Sequence, residues 1–274
     1  LNDETVKLAA DIDEISDNAY AGQTEITTVV IPKGISKIGV GAFRNCTNLT
    51  TVIFEDGCVK LTELPAELFA GCSSLKKITL PVNATVVGKN AFAGCSSLEE
   101  VTMPGVEEIS ESAFENSGLK KFDIPANIYA VGKNAFKNSA LTEISLGSVK
   151  TIGAGAFEGT EITSVIIPES VTLMGAGAFR SCTELKNVRF RTTSMRVVDD
   201  YMFYDCISLE SIALPEGVTR LGGYAFMNCE KLSDVELPST LEMIAVDCDL
   251  DDRYEVNYGY TFANCTALKS IDLP

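Results

Sequence analysis

An aromatic residue returns down the whole chain. Tyr20, Phe43, Phe69, Phe92, Phe114, Phe136, Phe157, Phe179, Phe203, Phe226 and Phe262 stand 21 to 26 residues apart, except for a last gap of 36. Repetition at this period constrains a fold more than any local feature, because one short unit cannot bury its own apolar side chains and must stack on its neighbours. The unit from Phe203 to Phe226 shows the shared positions: Cys206, Leu209, Ile212, Leu214, Pro215, Val218, Leu221, Gly222 and Ala225. Leu209, Ile212 and Leu214 recur as Leu49, Val52 and Phe54, and as Leu232, Val235 and Leu237. The alternation that ends this pattern predicts one short strand per unit with one face buried.

Proline follows the strand at Pro32, Pro81, Pro104, Pro125, Pro168, Pro215 and Pro238. It lacks an N–H and fixes φ, so a column of prolines ends the ladder and turns the chain. A second apolar pair, such as Val218 with Leu221 or Val106 with Ile109, then lines the opposite wall. Gly39, Gly88, Gly132, Gly153, Gly175 and Gly222 come next, where the turn needs either a positive φ or a close backbone approach. Cys46, Cys72, Cys95, Cys182, Cys206, Cys229 and Cys265 all sit three residues after the aromatic. No pair has the spacing of a metal or redox motif, so they read as a column of buried thiols packing as small hydrophobes.

Segments such as "AFAGCSSLEEVTMP" and "YAFMNCEKLSDVELP" carry the resemblance to a known family. The pattern resembles the BspA-like, or Treponema-type, class of bacterial leucine-rich repeats, and the resemblance runs over residues 5–274. It implies a β-rich α/β repeat: a right-handed leucine-rich-repeat solenoid of about eleven units with one parallel sheet, forming a single domain over residues 1–274. Neither end carries a polar capping unit, so the chain is expected to be a piece of a longer protein.

Departures from the pattern are informative. Ser117, Ser139 and Thr160 replace the cysteine in three successive units that are also one residue shorter before the strand, which suggests a tighter turn. About three extra residues fall within Glu55 to Lys60, and about thirteen in an insertion loop near 245–259. Cys58 and Cys248 lie in these two insertions, outside the thiol column, and each is expected to be partly buried under its loop. Insertions in solenoids map to loops on one face, often where binding is tuned.

Chemistry finds little support. The chain has no histidine, which removes the usual general base and the commonest zinc ligand. No catalytic residues, no cofactor and no enzyme activity are expected. The net charge of −16 disfavours nucleic acid and anionic lipid, which need clustered Lys and Arg. No apolar run reaches the roughly 20 residues of a membrane span. Asp247, Asp249, Asp251 and Asp252 form a weak calcium candidate, lacking both the turn glycine and the closing glutamate of a twelve-residue calcium loop.

Residues between the buried strand positions point outward, and stacking lays them side by side as the expected binding face. Its charged and polar members include Lys76, Lys77, Thr79, Glu99, Glu100, Thr102, Lys120, Lys121, Asp123, Glu143, Lys186 and Arg189. Alternating signs across Lys76, Glu99 and Lys120, and across Lys77, Glu100 and Lys121, predict salt bridges there. The face has no aromatic residue, so Tyr254, Tyr258 and Tyr260, in and beside the large insertion, are the aromatic contact candidates. The family resemblance implies a cell-surface or secreted bacterial module that adheres to a protein or cell-surface ligand. A structural spacer displaying another domain is the alternative reading.

Overall fold

The computed structural model of the protein describes residues 4–244 and 260–274. One row of strands follows the predicted positions: β1 (Glu4–Lys7), β3 (Ile26–Ile31), β5 (Thr51–Phe54), β7 (Lys77–Thr79), β9 (Glu100–Thr102), β11 (Lys121–Asp123), β13 (Glu143–Ser145), β15 (Ser164–Ile167), β17 (Asn187–Phe190), β19 (Ser211–Ala213) and β21 (Asp234–Glu236). The opposite wall is also β-structure, in two-residue strands: β2 (Glu14–Ile15), β4 (Lys37–Ile38), β6 (Glu63–Leu64), β8 (Val86–Val87), β10 (Glu108–Ile109), β12 (Ala130–Val131), β14 (Thr151–Ile152), β16 (Leu173–Met174), β18 (Val197–Val198), β20 (Arg220–Leu221) and β22 (Met243–Ile244). All these strands pair in parallel, and among the described residues there is no helix. The protein is a parallel β-solenoid whose coils contribute one strand to each wall, except that residues 260–274, after the last ring, form none.

The space between the walls is filled by columns. The eleven aromatic rings form an unbroken stack from Tyr20 to Phe262, with centroids 5.2 to 5.9 Å apart and planes within 22° of parallel. Each phenylalanine of this stack from Phe43 to Phe226 is fully buried. Offset stacking of this kind adds about 0.5–1.5 kcal/mol per pair to the area buried. Backbone bonds tie the coils together even where no strand forms: Phe69 N–H donates to Ala91 C=O and Phe92 N–H to Ala113 C=O, both at 2.8 Å.

This aromatic arc is shaped by two columns of left-handed residues. Asn18, Asn90 and Asn134, two positions before the ring, and Asn45, Asn116, Asn138, Asn228 and Asn264, two positions after it, all have φ between 53° and 63°. Asparagine is among the few residues that adopt this conformation at low cost. The glycine column behaves otherwise. Gly39, Gly88, Gly132, Gly153, Gly175 and Gly222 are absent from the positive-φ set, so close approach is the reason for them. A Cβ on Gly132 would fall 2.6 Å from the carbonyl carbon of Ser110 in the preceding coil.

The thiol column is a hydrogen-bond ladder as well as a packing column. Cys72 Sγ donates to Phe43 O at 3.1 Å, Cys95 to Phe69 O at 3.2 Å, Cys206 to Phe179 O at 3.1 Å and Cys229 to Phe203 O at 3.2 Å, each reaching one coil back. Ser139 and Thr160 instead donate to the carbonyl of the ring residue in their own coil, Phe136 at 2.7 Å and Phe157 at 2.9 Å. Their short hydroxyls close the tight turn locally, as the one-residue deletion predicts. Cys58 is buried under its loop. Cys248 lies outside the described residues.

Candidate interaction surface

Each face strand alternates a buried residue with exposed neighbours, as in Lys77, Ile78, Thr79 and Lys121, Phe122, Asp123. The period of two therefore turns one side of every coil outward. Lys76, Lys77, Thr79, Glu99, Glu100, Thr102, Lys120, Lys121, Asp123, Glu143, Lys186 and Arg189 are all exposed on this side.

The predicted salt-bridge ladder does not form as expected. Lys77 and Glu100 are register partners in adjacent strands, yet among the described residues none of Lys76, Lys77, Glu99 and Glu100 joins an ion pair. The ion pair on the face comes one rung later, between Lys121 and Glu143, whose Nζ and Oε1 are 2.7 Å apart. A break in the ladder accounts for Glu100 and Lys121, whereas Lys77 and Glu100 stand opposite in a paired rung without closing. β7 pairs with β9 and β11 with β13, but β9 and β11 belong to separate sheets, so Glu100 and Lys121 are not held opposite one another. Arg44 with Glu67 at 2.8 Å and Lys137 with Glu158 at 3.2 Å pair on the aromatic arc, away from the face.

The small insertion breaks the face a second time. Glu55 N–H donates to Ile31 O at 2.9 Å and Cys58 N–H to Glu55 O at 3.1 Å, folding residues 55–58 into a turn over the end of β5. β5 remains paired with β3 but not with β7, and on the wall β4 and β6 fall into different sheets. A hollow of about 560 Å³ opens at this break, lined by Thr51, Ile53, Glu55, Lys77, Val82 and Glu100 among others. A second hollow of about 460 Å³ shares Thr50, Thr51, Lys77 and Glu100 with it and adds Lys76 and Glu99. The floor is apolar where Ile53 and Val82, 47% and 60% exposed, reach the surface. The insertion was legible in the sequence, but the hollow beside it was not, since that depends on how the turn at 55–58 sits against the neighbouring coil.

The aromatic candidates divide. Tyr260 is exposed and stacks on Tyr224 at 5.6 Å, which stacks on Tyr201 at 5.0 Å. Arg180 lies over the rings of Tyr201 and Tyr204, 5.5 and 4.9 Å from their centroids. Tyr260 therefore belongs to a column inside the repeat, two residues before the buried ring. Sequence analysis grouped Tyr260 with the neighbouring insertion and did not single out Tyr201 and Tyr224; their shared position relative to Phe203 and Phe226 was the signal. Tyr254, Tyr258 and the carboxylates Asp247, Asp249, Asp251 and Asp252 lie outside the described residues. Among the described residues no helix is long and apolar enough to cross a membrane.

Comparison with known proteins agrees with the geometry. The sequence profile of the BspA type leucine rich repeat region matches residues 13–143 and 150–248 in six copies. A search of curated proteins finds no significant match. Among solved structures, the chain is similar to a leucine rich cell surface protein from Faecalibacterium prausnitzii A2-165, with 27% identity, 98% of this chain and 87% of that one covered, and a TM-score of 0.51. A leucine-rich repeat protein from Eubacterium ventriosum ATCC 27560 shares the fold, with a TM-score of 0.62 at 24% identity over 98% of this chain and 78% of that one. The pneumococcal vaccine antigen PcpA does so with a TM-score of 0.61 at 18% identity over 88% and 77%. With the repeat profile matched over most of its length and each coil built to that pattern, the chain belongs to the BspA-type family of leucine-rich-repeat proteins.

Proposed function

We propose that the chain is a non-catalytic adhesion module displayed at a bacterial surface, holding a protein partner against its strand face. The observation that carries this reading is the face itself: a rigid, exposed array of side chains from successive coils, opened into adjoining hollows between β5 and β9. A solenoid core holds such side chains in fixed relative positions, so a partner meets a preorganised surface and little ordering cost is left to binding. The similar Faecalibacterium protein is described as a cell surface protein, which supports the placement. Absence of histidine supports a binding role over an enzymatic one.

The test is biolayer interferometry of the purified chain against a panel of extracellular-matrix and bacterial-surface proteins. Saturable binding to at least one component is expected, weakened at least tenfold by Thr79→Arg on the face and unchanged by Leu173→Glu on the opposite wall. No saturable binding to any component, or equal loss from both substitutions, overturns the reading.

A further inference from the structure

The hollow between β5 and β7 has a chemical character of its own. Lys77 and Glu100 are register partners, as are Lys121 and Glu143, but the second pair closes to 2.7 Å and the first does not form an ion pair. Lys76 and Glu99 repeat the arrangement one residue earlier. Adjacent strands lie about 4.8 Å apart, so a row of positive charge and a row of negative charge stand one rung from each other. An incoming ligand need not break a salt bridge to use either row.

The same hollow exposes Ile53 and Val82. Two β-branched apolar side chains in a concave site of a few hundred cubic ångströms favour an apolar group that displaces water from both. Among the described residues no backbone hydrogen bond joins β5 to β7, so the hollow lies where strand pairing does not knit the face together.

From these features we infer that the hollow is a subsite for a short peptide segment of mixed charge. One apolar side chain of that segment sits over Ile53 and Val82, its carboxylate faces Lys77, and its basic side chain faces Glu100. The assignment rests on the strand face being the binding face and deepens it. Charge complementarity selects this occupant, because a uniformly acidic segment meets Glu99 and Glu100 and a uniformly basic one meets Lys76 and Lys77, each paying for like-charge contact.

The experiment uses fluorescein-labelled hexapeptides carrying a central valine flanked by one glutamate and one lysine, in both orders, with all-acidic, all-basic and uncharged peptides as controls. Fluorescence polarisation at low salt should show one mixed-charge order binding at least tenfold more tightly than every control. Val82→Glu should remove that preference without moving the thermal unfolding midpoint, since Val82 is an exposed side chain. The double variant Lys77→Glu with Glu100→Lys should prefer the opposite order. Equal binding of all peptides, preference for a uniformly charged one, or indifference to Val82→Glu overturns the subsite. A chain that binds a matrix protein through its face yet shows none of these preferences loses the subsite and keeps the adhesive function; one that binds neither loses both.

Discussion

Cys95 Sγ donates to the carbonyl oxygen of Phe69, one coil back, at 3.2 Å, and burial pushes its thiol up to about 12 from an ordinary 9.0. Burial likewise raises Cys182 and Cys265 to about 11. A buried site penalises the thiolate, so the folded chain keeps these protons after the unfolded chain has released its own. The resulting stability is fully present below about pH 9 and is lost as pH rises through 11 and 12. Urea unfolding at pH 7, 9 and 10.5 should show a falling midpoint only beyond pH 9. Iodoacetamide at pH 8 should leave the eight described thiols unlabelled until urea is added. Labelling of the folded protein at those positions would contradict the burial.

Ser117 and Ser139 occupy the same column and make opposite predictions. Ser117 Oγ is buried with no hydrogen-bond partner among the described residues, whereas Ser139 Oγ donates to Phe136 O at 2.7 Å. An unsatisfied buried hydroxyl costs about 1–3 kcal/mol, and a satisfied one contributes about 1. Ser117→Ala should therefore raise the unfolding free energy by about 1 kcal/mol and Ser139→Ala lower it by a similar amount. Chemical denaturation of both variants beside the parent measures the difference in sign.

Close approach and left-handed backbone make different demands of glycine, and substitution separates them. At Gly132 a Cβ would meet the backbone of the preceding coil, and no flexible side chain stands there to yield. Gly132→Ala should cost about 1–3 kcal/mol through forced separation of the coils. Gly94 has φ +74° and no atom within 3.4 Å of an added Cβ, in a column that asparagine fills elsewhere. Gly94→Asn should change stability by less than about 1 kcal/mol, since asparagine tolerates this conformation. Thermal melts of the two variants decide between the roles.

Phe136 stacks on Phe114 at 5.3 Å and on Phe157 at 5.6 Å, and lies edge-tilted to Phe122. Removing the ring at mid-stack leaves a cavity that two rigid walls cannot collapse, at a cost of about 3–5 kcal/mol. Each coil touches only its neighbours, so Phe136→Ala should also weaken coupling between the halves. Calorimetry should then show a broadened or double transition in place of one sharp peak; a single unchanged transition would rule out nearest-neighbour coupling through the ring column.

The repeat made much of the fold readable before any coordinates. Spacing of Phe43 to Phe226 located every coil, the i, i+3, i+5 pattern located the face strands, and the column at Cys46, Cys72 and Cys95 identified buried thiols. These succeed because each position repeats, so that chance matches average out and only the stacked arrangement buries all of them. The left-handed columns were not read from the sequence: asparagine and glycine fill most of their positions, but Glu67, Ser112, Ser181, Tyr201, Asp205 and Tyr224 take the same conformation, so residue type alone does not mark them.

By itself, then, the sequence determined the architecture: coil length, which residues face inward, and which side of each strand meets solvent all follow from hydrophobic period and chain connectivity. Tertiary structure alone decided the finer matters. Whether Lys77 reaches Glu100 or Lys121 reaches Glu143, and whether β5 hydrogen-bonds to β7, depends on how side chains and neighbouring coils fit together, which no single coil encodes. A hydrogen-bonded ion pair and a strand bond each need donor and acceptor within about 3 Å, so a small displacement removes either.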